Sequence, residues 1–267
     1  MCYQISHTNS KSGHFQQIRA QVTMNLTVIG GVLFDIFKLA LYIACAYLAV
    51  GAYARYAKTP WLQQLAGRRF SLLTLLTLLV IGIKVFEDVI SKESGPVDTA
   101  VLWLIKQNVS HALTGFFSAV TWTGAAVFLV PATVVLCALL LLMRHPREAV
   151  FLALTMASGW ALTYALKTLI NRARPELWST TWYWGSSFPS GHTLSTTAFA
   201  TALTLIATRI WSPSKRVALP LAVVWISLMG LSRLVLGVHW PTDVLAAVCL
   251  GLFIPLAISM FHFARVS

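Results

Sequence analysis

Charged residues are scarce in this chain, and their scarcity excludes most soluble folds. Only 10% of the 267 residues are charged, 57% are hydrophobic, and the mean hydropathy is +0.73. A soluble domain carries about 25% charged residues. Several apolar runs also reach the roughly 20 residues that an α-helix needs to cross a bilayer. The composition therefore predicts an all-α integral membrane protein, a polytopic transmembrane helix bundle.

Acidic residues are few as well. Eight Asp and Glu stand against 20 Lys and Arg, which gives a formal net charge of +12. This excess does not indicate a nucleic-acid partner, because the basic residues form no Lys/Arg-rich stripe with stacking aromatics. They lie in short loops between apolar runs, as the positive-inside rule expects, and beside a few His and Asp residues. The second location suits an anionic ligand.

Cysteine is rare too, and its spacing indicates neither a disulfide framework nor a zinc site. The four cysteines, at positions 2, 45, 137 and 249, include no CxxC pair. The polar stretch 1–21 likewise lacks the apolar region of a conventional signal peptide. We predict that residues 1–27 form a polar tail.

The apolar runs predict up to seven membrane-spanning segments. The first contains Asp35 and Lys38, so it either spans, lies along the interface or packs against the others. The segments are 28–53, 70–90, 119–143, 148–168, 192–210, 217–236 and 241–263. The domain organisation that follows is the tail at 1–27, a hydrophobic segment with a basic loop at 28–69, and a transmembrane domain at 70–263.

Short basic loops orient this array. By the positive-inside rule these loops and the C-terminus are cytoplasmic, and the short loops favour a bacterial inner membrane. Alternation then places 91–118, 169–191 and 237–240 on the extracytoplasmic side, and the N-terminus joins them if 28–53 spans. The basic loop residues are Arg55, Lys58, Arg68, Arg69, Arg144, Arg147, Lys215, Arg216 and Arg265.

The first polar cluster is KTLINRARP, at 167–175. Seven residues separate Lys167 from Arg174, about two helical turns, so both are expected on one helix face. Pro175 disfavours helical geometry at the residue before it, which predicts that the helix ends at Arg174. The alternative interpretation is two cations that snorkel at a helix end.

The second cluster is FPSGHTLS, at 188–195. Pro189, Ser190 and Gly191 precede an apolar run, which predicts a helix start with Ser190 as N-cap. The free amides and partial positive charge of a helix N-terminus suit a phosphate, and His192 lies at that opening. The alternative is ordinary helix capping with an incidental histidine.

The third cluster is SRLVLGVHWPTD, at 232–243. Pro241 suits the first position of a helix, so Asp243 falls in the first turn, where it could simply complement the helix dipole. His239 lies four residues earlier, within reach of that carboxylate. Such a contact keeps one ring nitrogen protonated and leaves the other free to attack. Arg233 closes the preceding helix and faces the same space.

The predicted topology brings the three clusters to one membrane face. Arginine offers a planar fork of donors to phosphate oxygens, and lysine offers a point charge, so Lys167, Arg174 and Arg233 indicate a phosphoryl site. Two histidines and one carboxylate could instead hold a metal. Three cations would repel a divalent ion, which favours the anion and predicts no metal or other cofactor.

In this order, K-x6-RP, PSGH and SR-x5-H-x3-D resemble the three signatures of the type 2 phosphatidic acid phosphatase (PAP2) superfamily, which includes lipid phosphatases and vanadium haloperoxidases. The resemblance covers about 148–263 and implies a six-helix PAP2-like core, from which the extra segment 28–53 departs. The haloperoxidases are typically soluble, and this chain is not. The matching positions are Lys167, Arg174, Pro175, Pro189, Ser190, Gly191, His192, Ser232, Arg233, His239 and Asp243.

The resemblance also implies roles for these residues. His239 would attack phosphorus to give a phosphohistidine, and Asp243 would orient its ring. His192 would protonate the leaving group and then activate water. The phosphate oxygens, over which charge spreads in the transition state, would be held by Lys167, Arg174, Ser190, the Gly191 amide and Arg233.

Three functions fit these expectations. The first is a metal-independent lipid phosphate or pyrophosphate phosphatase acting on phosphatidylglycerophosphate, phosphatidate, undecaprenyl pyrophosphate or a lipid A phosphate. The second is a lipid phosphotransferase, and the third a transporter or binding protein that only clamps the phosphate of a phospholipid. The aromatics of 176–187 either line a substrate entrance or form an interfacial belt. The segment 91–118 is placed to cap the site.

Overall fold

The structure, a computed structural model, describes Phe34, residues 37–53, Tyr56, residues 69–176 and residues 185–263. The chain divides into two compact units, Met1–Ala57 and Lys58–Ser267. In the first unit an apolar helix, α1, covers Phe37–Tyr53 and is shorter than a full membrane span. The rest of the predicted segment 28–53 lies outside the described residues, apart from Phe34.

In the described part of the second unit the helices are joined by turns and loops, and there is no strand. This confirms the predicted all-α class. Its helices are α2 (Arg69–Ile90), α3 (Gly95–Asn108), α4 (Thr114–Trp122), α5 (Ala126–Leu142), α6 (Pro146–Ile170), α7 (Gly191–Ile210), α8 (Lys215–Val235) and α9 (Pro241–His262), with short 3-10 helices at His111–Leu113 and Ser212–Ser214.

Among the described helices, four are long and apolar enough to cross a membrane: α2, α6, α8 with the turn before it, and α9. The predicted span 119–143 is not one continuous helix, because α4 and α5 meet at a bend of 40°. Gly124 lies at this break, where a Cβ atom would stand 2.5 Å from Cε of Met229. The sequence interpretation missed this bend, and the close approach of Gly124 to Met229 joins segments that are far apart in the chain.

Helix α7 occupies the centre of the bundle and contacts α6, α8 and α9. Its residues from Thr193 to Ala200 are almost all buried, and Ala198, Phe199 and Ala202 join the main hydrophobic core with Phe151 of α6. Its many threonines explain why α7 is less apolar than the four spanning helices, although 192–210 is a predicted span. A helix enclosed by other helices does not need an apolar surface against lipid.

The contact between α7 and α9 depends on a glycine. We expect Gly251→Ala to destabilise the protein by about 1–3 kcal/mol, because its Cβ would lie 2.6 Å from Cβ of Thr197 and 2.8 Å from the carbonyl oxygen of Leu194. Thermal unfolding in detergent measures the change. Gly82→Ala is the matched control, since its Cβ would approach nothing closer than 3.9 Å. Equal unfolding temperatures in the two variants would contradict the tight contact.

The successive helices place the two basic loops that the structure describes, at 144–147 and 211–216, and the three polar clusters at opposite ends of the bundle. At one end, Nε of Arg209 lies 3.2 Å from Oε1 of Glu148, which joins the end of α7 to the start of α6. Nε2 of His262 lies 2.8 Å from the Arg147 carbonyl oxygen, which brings the end of α9 to the same place. Consecutive helices from α6 to α9 run in opposite directions along the bundle. The polar clusters therefore lie at the other end, where α6 and α8 finish and α7 and α9 begin.

Candidate active site

Helix α6 ends four residues before the predicted position. It closes at Ile170 because Asn171 takes the left-handed conformation (φ 44°), a common helix C-cap geometry. Lys167 and Arg174 therefore do not share a helix face, and that prediction is wrong. They converge by another route: Nζ of Lys167 donates to the Ser186 carbonyl oxygen, and Nη2 of Arg174 lies 3.5 Å from the same oxygen.

Helix α7 begins at Gly191, and Ser190 occupies the N-cap position as predicted. The Ser190 hydroxyl does not cap the helix backbone. It pairs with the Thr193 hydroxyl at 2.9 Å, and both residues are fully buried. The Ser190 amide donates to the carbonyl oxygen of Asp243 at 3.2 Å, which holds the start of α7 against the start of α9.

The first turn of α7 faces the cations. A Cβ atom on Gly191 would lie 3.9 Å from Cε of Lys167, so the glycine brings the helix start close to the lysine chain. His192 is partly buried in this turn, and the charges of Arg233, Lys167 and Arg174 all act on it electrostatically. The first amides of a helix have no partner within the helix, so they stand ready to bind an anion.

Asp243 serves both roles that the sequence left open. Helix α9 begins at Pro241, and Oδ2 of Asp243 accepts a hydrogen bond from the Trp240 amide at 2.9 Å, as a capping side chain does. The same oxygen lies 3.5 Å from Nδ1 of His239. Contacts of this kind are often long before substrate binds and shorten in the reacting complex.

The other ring nitrogen of His239 faces a cation. Nη1 of Arg174 lies 3.3 Å from Nε2, and since a guanidinium can only donate, Nε2 accepts and carries the lone pair. The same Nη1 donates to the Val238 carbonyl oxygen at 2.8 Å. This geometry assigns the ring proton to Nδ1, toward Asp243.

His239 is neutral at ordinary pH. Burial lowers the pKa of His239 to about 4; Asp243 acts in the opposite direction, and the charges of Arg233 and Arg174 add to the lowering. The imidazole is protonated only below that value. A neutral ring with a lone pair on Nε2 is the form that can act as a nucleophile.

Arg233 lies in the last turn of α8 with no exposed surface. Its Nη1 donates to Oγ1 of Thr121 at 3.1 Å, and that hydroxyl is 2.8 Å from Oγ of Ser232. Helix α4 thus helps to hold the arginine beside the histidines.

The sequence interpretation missed two residues that contact Asp243 or its neighbours. Nη1 of Arg172 lies 2.7 Å from Oδ1 of Asp243, and Nη2 lies 2.7 Å from Oδ2 of Asp98. Asp98 belongs to α3 and is completely buried. Nothing in the sequence around Asp98 marks it as a site residue, whereas Arg172 lies only two residues before Arg174 and could have been included in the first cluster. The segment 91–118 therefore reaches the site through a specific side chain.

The cluster as a whole favours an anion. Lys167, Arg174 and Arg233 surround two histidines, beside the open start of α7. Within the ranges that the structure describes, no group of three or more His, Cys, Asp or Glu side chains is arranged to hold a metal ion. Of the aromatic stretch 176–187, residues 177–184 lie outside those ranges, so both interpretations of it stay predictions.

Comparison with known proteins gives one family and several relatives. The model of the PAP2 superfamily matches residues 148–267, which include all three clusters. Phosphatidylglycerophosphatase B of Bacillus subtilis is 26% identical over 182 residues, covering 67% of this chain and 88% of the relative. Lipid A 1-phosphatase of Rhizobium etli is 33% identical over 111 residues, covering 38% of this chain and 44% of the relative.

Two solved structures share the fold. The transmembrane PAP2 type phosphatidylglycerolphosphate phosphatase from Bacillus subtilis has a TM-score of 0.68 and 24% identity, covering 73% of this chain and 99% of that one. LpxE of Aquifex aeolicus has a TM-score of 0.50 and 24% identity, covering 60% of this chain and 92% of that one. This chain therefore shares its helical fold with the Bacillus subtilis phosphatase over most of that protein's length.

Proposed function

We propose that this chain, which matches the model of the PAP2 superfamily over residues 148–267, is a membrane phosphatase of that type and hydrolyses a lipid phosphate or pyrophosphate without a metal ion. The observation that carries the proposal is the state of His239. Its Nδ1 faces Asp243 at 3.5 Å and its Nε2 carries the lone pair, inside a ring of cations. The relatives named above act on lipid phosphates, and the apolar helices here deliver a membrane-borne substrate to this end of the bundle.

The proposed first step forms a phosphohistidine. Nε2 of His239 attacks phosphorus, the bond to the leaving oxygen breaks, and His192 gives that oxygen a proton. His192 takes up this proton when the negative charge of the bound phosphate offsets the cations beside it. Asp243 stabilises the positive charge that appears on the ring. The remaining phosphate oxygens are held by Lys167, Arg174, Arg233, Ser190 and the Gly191 amide. Each preorganised donor of this kind lowers the activation free energy by about 3 kcal/mol.

The second step returns the enzyme to its starting state. His192, now neutral, takes a proton from water; the water oxygen attacks phosphorus, the phosphorus–nitrogen bond breaks, and inorganic phosphate leaves. Arg174 contacts Nε2 at 3.3 Å in this structure, so it exchanges this contact for a phosphate oxygen when the substrate binds. A transport or binding role would need the cations but not the His239–Asp243 pair, and a phosphotransferase would replace water by an acceptor hydroxyl.

We place the active site on the extracytoplasmic face of a bacterial inner membrane, with the C-terminus in the cytoplasm. The support is the separation of charges along the bundle. The loops with Arg144, Arg147, Lys215 and Arg216 lie at the end opposite the polar clusters. Basic loops of this length stay on the cytoplasmic side.

Phosphate release by the purified protein in detergent tests the function. The substrates are phosphatidylglycerophosphate, phosphatidate, undecaprenyl pyrophosphate and lipid A 1-phosphate, each with excess EDTA. We expect release from at least one of them, unchanged by EDTA, and none above background with His239→Ala. Folded protein that releases phosphate from none of the four would overturn the hydrolase, and release that EDTA stops would overturn its metal independence.

A further inference from the structure

A buried network of charges joins α3 to Asp243. Arg172 lies at its centre: Nη1 is 2.7 Å from Oδ1 of Asp243, and Nη2 is 2.7 Å from Oδ2 of Asp98. Both carboxylates have no exposed surface, and the arginine side chain is 15% exposed. Two buried carboxylates on one guanidinium are stable only when each oxygen finds a donor.

Those donors are present. Oδ1 of Asp98 accepts from the Thr242 amide at 2.9 Å, and Oδ2 accepts from the Thr242 hydroxyl at 2.7 Å. Nη1 of Arg172 also donates to that hydroxyl at 2.8 Å, and Nη2 donates to Oγ of Ser94 at 3.2 Å. Asp98 therefore holds Arg172 and the first turn of α9 at the same time.

We propose that Arg172 and Asp98 are positioning residues for the phosphatase reaction, which act by fixing the Asp243 carboxylate and, through it, the His239 ring. The proposal rests on the function proposed above. It assigns α3 a part in the reaction, since the buried carboxylate of this helix reaches the nucleophile through one arginine.

The argument begins with the two oxygens of Asp243. Oδ1 is held by Arg172, and Oδ2 is held by the Trp240 amide and faces His239. With both oxygens held, the carboxylate cannot rotate, so Oδ2 stays aimed at the ring. Without Arg172 the carboxylate turns more freely about its own bond, and a nucleophile out of alignment by about 1 Å can lose a factor of about 100 in rate.

Asp98 explains why Arg172 serves the carboxylate and not the phosphate. Arg174, two residues later, turns its guanidinium to Nε2 of His239 and to the Val238 carbonyl oxygen. The ion pair with Asp98 turns Arg172 away from His239. Cζ of Arg172 lies 5.6 Å from the centroid of the Trp240 ring. An arginine with both ends bonded in a fork is a fixed support rather than a mobile phosphate ligand.

The network also sets the charge that the ring experiences. The ionisable groups that face His239 are Asp243 on α9, Arg233 on α8, Arg174 after α6 and His192 on α7. Loss of the Arg172 charge leaves the Asp243 carboxylate less compensated, and a less compensated carboxylate favours the protonated ring. The pKa of His239 then rises, and the neutral nucleophile is lost at a higher pH than in the wild type.

Three variants separate these effects. Arg172→Lys keeps the charge but cannot form the fork, Arg172→Met removes both, and Asp98→Asn keeps the size of the side chain and removes its charge. Glu148→Gln is the matched control, because it breaks a partly buried carboxylate–arginine pair at the opposite end of the bundle. The measurements are kcat, KM and the pH dependence of phosphate release from the lipid that the wild type cleaves fastest, with thermal unfolding of each variant.

We expect kcat to fall by about 10-fold in Arg172→Lys and Asp98→Asn and by about 100-fold in Arg172→Met, with KM changed by less than about threefold. The acid limb of the pH profile should move upward in Arg172→Met and stay in place in Arg172→Lys. Glu148→Gln should lower only the unfolding temperature.

Wild-type kcat and pH profile in folded Arg172→Lys and Asp98→Asn, with His239→Ala inactive, would overturn the positioning role and leave the proposed function intact. A loss of unfolding temperature equal to that of Glu148→Gln, with kcat unchanged, would do the same. If Arg172→Met does not fold, the other two variants decide. A wild type that cleaves none of the four lipids overturns the proposed function itself.

Discussion

Replacing His239 with alanine is expected to lower phosphate release by at least about 10⁴-fold, because removing a nucleophile from a set of residues that act together costs nearly as much as removing the set. The residue is 2% exposed and its ring has Arg174 on one nitrogen and Asp243 on the other. A water molecule in the space left by the imidazole could not form the covalent intermediate. The cations remain, so binding of the lipid should change little.

A second histidine provides the control for this variant. His262 lies at the opposite end of α9, where Nε2 is 2.8 Å from the Arg147 carbonyl oxygen. His262→Ala should keep its activity within about twofold, since it removes an imidazole far from the reacting atoms. Both proteins are compared by phosphate release and by thermal unfolding in detergent. Activity of folded His239→Ala within tenfold of the wild type would exclude it as the nucleophile.

Replacing His192 with alanine is expected to lower steady-state turnover of the lipid by about 10³-fold, the usual contribution of a general acid and base. It is also expected to leave a phosphorylated protein behind when the leaving group is weakly basic. A nitrophenolate leaves without a proton, so the first step survives the change. In the proposed mechanism the second step needs His192 to take a proton from water, so we expect the phosphohistidine to accumulate in this variant.

p-Nitrophenyl phosphate that carries a label in its phosphate group measures the transfer of phosphate to the protein directly. His192→Ala should retain label after rapid quenching and denaturation, and the label should be lost in acid and kept in base, as a phosphohistidine requires. The double variant His192→Ala/His239→Ala is the control and should carry none. Label in the double variant would place the covalent bond on another residue, and nitrophenolate release by His192→Ala without label would indicate direct attack by water.

The sequence was informative where function depends on near neighbours along the chain. The His239–Asp243 contact spans four residues, and Pro241 together with helix geometry predicts it. The start of α7 at Gly191 follows from the same kind of local rule. The assignment of an all-helical membrane bundle needed only the apolar runs, since the bilayer sets their length.

Distant contacts account for what was missed. Arg172 and Asp98 are 74 positions apart, and no local pattern in the sequence predicts their ion pair. The end of α6 depends on a left-handed Asn171, stabilised where the Arg172 amide donates to Oγ of Ser186 at 2.9 Å. A rule about the residue before proline placed that end too late, because proline bounds a helix without requiring it to continue that far.

Helices α7 and α9 both start at the active-site end, tied together by the amide of Ser190 and the carbonyl oxygen of Asp243. Each helix start carries a partial positive charge of about half an elementary charge. In α9 the Asp243 carboxylate already neutralises it, whereas the first turn of α7 has no acidic residue. A phosphate dianion thus meets one uncompensated helix dipole instead of two. The two helix starts together therefore attract a bound phosphate less strongly than they would if both were free of acidic residues.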